Sequence, residues 1–141
     1  MARLSPQELD RIARDDVPLV GALGIRFLGA EDGRVTARLP YGDNLLRPGG
    51  TISGPALMAV ADLVMYACVL SVIGPVKLAV TTSLNANFLR KPPAADILAE
   101  GRLLKCGKRL AYGEVTLFSE GDPEPVCHVT ATYSIPPPGL R

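Results

Sequence analysis

Asp62 is the one ionisable residue in the apolar run from Ser53 to Ile73, SGPALMAVADLVMYACVLSVI. A carboxylate taken out of water is costly unless it is paired or used. Its retention in such a run points to chemistry, because a positioned carboxylate takes a proton from water or holds water for attack. Gly54 opens the same run. If the run is a helix, the Gly54 N–H is a donor with no acceptor inside the helix, and the helix dipole reinforces it. Aimed at a carbonyl oxygen, it makes an oxyanion site. Thr82 places a hydroxyl on an otherwise apolar strand face, suited to holding a water beside Asp62.

Spacing constrains how these groups work together. Eight residues separate Gly54 from Asp62, which is roughly 12 Å along one helix. That is too far for both to act on one carbonyl carbon. If they cooperate, they come from different subunits, with two such helices antiparallel across a homodimer that holds two symmetric sites.

Arg90, Lys91, Arg102, Lys105, Lys108 and Arg109 gather near strand ends and the Cys106-Gly107 turn. Cationic groups of this kind suit a phosphorylated carrier such as coenzyme A, and the same positions also suit a solvated rim. The only histidine, His128, falls on a polar strand face, so no Ser-His-Asp triad is expected. The three cysteines lack metal-ligand spacing and read as reduced, packed thiols, with no metal or redox cofactor implied. A net charge of +1 over 141 residues gives nucleic acid no electrostatic footprint. The first ten residues lack the apolar core of a signal peptide, so a cytoplasmic protein is expected.

The elements that must hold these groups follow from pattern. Ser5-Pro6-Gln7-Glu8 is a capping box, predicting a short helix over about 5–14. Ile25–Ala30 and Arg34–Leu39 read as strands joined by the Glu31-Asp32-Gly33 turn. A turn-rich connection leads to Ser53, an N-cap for a central helix over about 54–73 that Gly74-Pro75 ends. That helix is long enough to span a bilayer, but a mid-span carboxylate and a setting among strands predict a soluble core instead. Lys77–Leu89 alternates, with Leu78, Val80, Thr82, Leu84, Ala86 and Phe88 on the inner face and Thr81, Ser83, Asn85 and Asn87 outside. Asp96–Lys105 and Lys108–Ser119 form a hairpin, and Val126–Ile135 turns Cys127, Val129, Ala131, Tyr133 and Ile135 inward. The expected architecture is α+β in a single domain over 1–141: five to six antiparallel strands curled around one long helix.

The stretch Gly50-Thr51-Ile52-Ser53-Gly54 followed by Asp62, together with Leu89-Arg90-Lys91-Pro92, resembles hotdog-fold acyl-CoA thioesterases of the phenylacetate-degradation type. The resemblance covers nearly the whole chain. In that family a histidine and two glycines precede the catalytic aspartate, which comes nine residues after the histidine. Here Ser53 stands at the histidine position, Gly54 and Pro55 at the glycines, and Asp62 in register. The resemblance implies that Asp62 orients or deprotonates the hydrolytic water and that Gly54 polarises the thioester carbonyl from the other subunit. Thr82 matches a water-positioning serine or threonine. The family's substrate-contacting asparagine is replaced by Arg47, with Asn44 three residues earlier. Asn44, Arg47, Ser53, Arg90, Lys91, Lys108 and Arg109 are thus the expected substrate-binding set. The expected activity is hydrolysis of an acyl-CoA thioester by a homodimer or homotetramer, with coenzyme A entering only as part of the substrate. Two other readings share the fold, a non-catalytic acyl-CoA-binding or regulatory protein and a hydratase or dehydratase.

Overall fold

The computed structural model describes residues 2–141. Helix α1, Pro6–Asp16, starts on the expected capping box: the Ser5 hydroxyl accepts from the Glu8 N–H, and the Glu8 carboxylate accepts from the Ser5 N–H. A second short helix, α2, Pro18–Leu23, follows at once and ends where Gly24 adopts a left-handed φ of 73°. Strands β1, Arg26–Glu31, and β2, Arg34–Leu39, form the anticipated hairpin around Gly33. The connection to the central helix holds a 3₁₀ turn, Asp43–Leu45, and a two-rung hairpin of β3, Leu46–Arg47, with β4, Thr51–Ile52.

Helix α3 runs from Gly54 to Ile73, capped at its start by Ser53 and stopped by Gly74. Strands β5, Val80–Phe88; β6, Ile97–Cys106; β7, Leu110–Ser119; and β8, Pro125–Ser134 complete the chain. All six long strands are antiparallel in the order β1-β2-β6-β7-β8-β5, and the sheet wraps α3. This is the α+β hotdog architecture. A helix apolar on every side is stable only when covered; most of α3 is buried here, inside the sheet.

The helix lies close to the sheet because two strands lack a side chain beneath it. A Cβ on Gly101 in β6 would sit 2.5 Å from Val64, and one on Gly113 in β7 would sit 2.5 Å from the Arg102 carbonyl and 2.9 Å from the Met65 sulfur. These contacts fix the depth at which α3 rides. The sheet has two edges. The β1 edge is occupied by α1, whose buried Asp10 accepts from the Phe27 N–H at 2.8 Å. The β5 edge pairs with no strand among the described residues.

Gly113→Ala forces a methyl against backbone that cannot yield. We expect it to lower stability by about 1–3 kcal/mol, as overpacking does, read as a drop of several degrees in the thermal unfolding midpoint. An unchanged midpoint would contradict the close approach.

Candidate active site

Asp62 sits half-buried on α3, and two hydroxyls reach one of its oxygens. Thr81 Oγ1 donates to Asp62 Oδ1 at 2.6 Å, and the Tyr133 phenol donates to the same atom at 2.7 Å. The phenol also lies 3.0 Å from the Asp62 backbone carbonyl. Oδ2 makes no hydrogen bond among the described residues. Thr81 and Tyr133 are direct cross-strand partners in the β5–β8 ladder, which explains their convergence, since opposed side chains on one face stand about 5 Å apart.

Thr82 is not the residue beside Asp62. The ladder pairs Thr81 with Tyr133 and then Ser83 with Thr132, so Thr82 is the extra residue of a β-bulge. Its hydroxyl is exposed and donates to the Thr132 carbonyl at 3.2 Å. A bulge adds one residue to one strand and reverses the alternation on one side of it. Leu84 and Ala86 therefore stay on the inner face as expected, while Thr81 turns inward. Leu78 precedes the strand and is exposed, and Val80 pairs with the outward Ser134 and is exposed as well.

Asp62 opens on a cavity of about 300 Å³. Its apolar wall includes Leu19, Val20 and Leu23 of α2 with Leu63 of α3, and Tyr66, Thr81 and Tyr133 face it beside the carboxylate. Burial raises the Tyr133 phenol well above its ordinary value, and the Asp62 charge and hydrogen bond raise it further. It therefore stays a protonated donor at any physiological pH. Tyr66 packs against Tyr133 with ring centroids 6.2 Å apart and donates to the Lys77 carbonyl at 3.0 Å. Tyr66, four residues after Asp62 on the same helix, shares its face by spacing and was legible as a pocket-lining candidate. Tyr133 was legible only as an inward residue, because its partner depends on strand register.

The start of α3 forms a separate locus. The Ser53 hydroxyl accepts from the Ala56 N–H at 3.4 Å, a capping role. The Gly54 N–H has no acceptor among the described residues. A Cβ on Gly54 would meet the Phe88 ring at 3.4 Å. Within one protomer, Gly54 thus lies over the end of β5 and Asp62 over its beginning.

The remaining expected residues do not converge on Asp62. Asn44 and Arg47 are exposed in the 3₁₀ turn and on β3. Arg90 pairs with Asp122 at 3.0 Å, and Arg109 donates to the Ile135 carbonyl at 2.8 Å. Arg102 pairs with Glu114 at 2.7 Å. Lys91 and Lys108 are exposed and make no ion pair among the described residues. Lys91 follows the Phe88 end of β5, whereas Lys108 lies in the β6–β7 turn, near the Val80 end. His128 is held by Glu114 at 2.8 Å on the outer face.

A curled antiparallel sheet around one helix, with a carboxylate at mid-helix beside a cavity, defines a hotdog protein. The family model for the thioesterase superfamily matches residues 49–126, and the chain belongs to that superfamily. A provisionally named thioesterase from Silicibacter sp. TM1040 is 40% identical, with a TM-score of 0.88 and coverage of 97% of this chain and 95% of that one. The phenylacetic acid degradation protein PaaI of Thermus thermophilus, solved as a point mutant, is 27% identical with a TM-score of 0.74, covering 83% of this chain and 97% of that one. A provisionally named esterase of Thermoplasma acidophilum is 27% identical over 104 residues, 74% of this chain and 77% of its own length.

The cysteines are free. Burial pushes the Cys68 thiol up to about 12 and Cys127 up to about 11, and it also raises Cys106, which is half-buried. A thiol held protonated and covered reacts poorly. Ellman's reagent should leave Cys68 and Cys127 unlabelled in the folded protein at pH 8 and label all three thiols after unfolding. Rapid labelling of Cys68 in the native state would contradict this packing.

Proposed function

We propose that this protein hydrolyses an acyl-CoA thioester to a free carboxylic acid and coenzyme A, acting as a homodimer. One observation carries the reading: Asp62, bonded through a single oxygen, stands at an apolar cavity on a helix whose starting N–H is unpaired. The superfamily supports hydrolysis at an ester or thioester carbonyl. In the reaction, water attacks the thioester carbon and gives one proton to Asp62. The carbonyl oxygen takes up negative charge, and the Gly54 N–H of the partner subunit stabilises it. The C–S bond breaks, and the leaving thiolate takes the proton from Asp62. The acyl group fills the cavity, and the cationic residues outside it meet the phosphates of coenzyme A.

The dimer reading has support beyond the helix length between Gly54 and Asp62. The β5 edge is unpaired and carries exposed Val80 and Phe88, with exposed Leu78 and Leu89 just outside it. An open edge of this kind is a template for pairing. Antiparallel pairing of β5 with its copy brings the Gly54 end of one protomer to the Asp62 end of the other.

Asp62→Asn should lower turnover of an acyl-CoA panel by about 10²–10⁴-fold, the range for a lost general base, with the fold and oligomer intact. Wild-type turnover in that variant would sink the assignment; acyl-CoA binding without any hydrolysis by the wild type would favour a binding protein.

Subunit mixing tests the two-subunit site. Gly54→Pro removes the N–H at a position where proline suits a helix start. Combined with Asp62→Asn subunits by unfolding and refolding, these two inactive variants should regain about a quarter of wild-type activity, since half the dimers are mixed and each holds one intact site. Failure to complement, with mixed dimers present, would place both groups in one protomer's site and overturn the shared arrangement.

A further inference from the structure

We propose that Thr81 and Tyr133 are positioning residues that pin Oδ1 of Asp62, so that Oδ2 is the atom that handles the water proton. This rests on the hydrolytic reading above and assigns roles within that site. The two donors, from neighbouring strands β5 and β8, both end on Oδ1, at 2.6 and 2.7 Å. With two short charge-assisted bonds, that oxygen is held and least available as a base. Oδ2 receives none, and the residue lines the cavity where a thioester would lie.

The carboxylate has one arrangement that satisfies both donors. The Thr82 bulge turns Thr81 inward, and the ladder register sets Tyr133 opposite it. The phenol proton is also shared toward the Asp62 carbonyl, which ties the side chain to its own helix turn. Tyr66 braces the Tyr133 ring from the next turn of α3 and is itself fixed to the Lys77 carbonyl. Other charged groups on this cavity are Asp16 and Lys77, which pair with each other at 2.8 Å and leave Asp62 to the hydroxyls. A freely rotating carboxylate would present either oxygen at variable distance, and misplacement of about 1 Å costs rate steeply.

The test compares kcat and KM for Tyr133→Phe, Thr81→Val, Thr81→Ser and Asp62→Asn on one hydrolysed acyl-CoA, with proton NMR of the hydroxyl region. Tyr133→Phe and Thr81→Val should each lower kcat by about tenfold or more, with KM within about twofold and dimer mass unchanged. Thr81→Ser keeps the donor and should recover most of the loss. A downfield hydroxyl resonance, slow to exchange, should be present in the wild type, absent from Tyr133→Phe and shifted upfield in Asp62→Asn. Wild-type kcat in Tyr133→Phe, with Asp62→Asn inactive, would overturn the positioning role while leaving hydrolysis in place. Wild-type kcat in Asp62→Asn would instead sink the assignment of Asp62 as the base, on which this proposal rests. The resonance then decides the clamp alone, and its absence from the wild type overturns it.

Discussion

A carboxylate in the middle of an apolar, buried helix must be solvated by the protein, and that requirement organises this structure. Asp62 meets it with two hydroxyls rather than a cation or a run of backbone amides. Both donors end on Oδ1, which leaves Oδ2 facing the cavity. The helix that carries Asp62 rides low on the sheet from which the hydroxyls come. Val64 and Met65, two and three residues beyond Asp62, rest where Gly101 and Gly113 present no side chain. A bulkier residue at either glycine would lift the helix and draw Asp62 away from β5 and β8 together.

Much of the frame was legible from local signals. The Ser5–Glu8 box, the Asp32-Gly33 turn, the Ser53 cap and the Gly74 stop each act within a few residues, and the structure realises all four. Alternation also gave the inner faces of β7 and β8, where Ala111, Val115, Leu117, Val129 and Ala131 are buried. Within the candidate site, Asp62 and Gly54 stood out by residue type and position. Thr81 did not, because period-two reasoning assumes an unbroken ladder. A bulge is set by pairing with another strand, so β5 alone carries no trace of which threonine is extra. Tyr133 was hidden for the same reason, since strand register across 71 residues brings it to Asp62. Type and rough location suggested one basic surface, yet Arg90, Arg102 and Arg109 are already bonded to Asp122, Glu114 and the Ile135 carbonyl.

The two sheet edges explain why a single protomer is an incomplete unit in the proposed reaction. At β1, Asp10 occupies a backbone donor and α1 covers the strand, so that edge is closed to pairing. At β5 no strand pairs with the outer edge among the described residues, and exposed Val80 and Phe88 mark its two ends. The unpaired Gly54 N–H and the free oxygen of Asp62 lie over those same two ends. In the proposed homodimer, two-fold antiparallel pairing would close the edge, cover the apolar ends and join the two half-sites. The same pairing would bring the Lys91 end of one protomer to the end of its partner at which Lys108 lies. A phosphate-bearing carrier, as proposed, would then be met near the end where the thioester carbonyl is polarised.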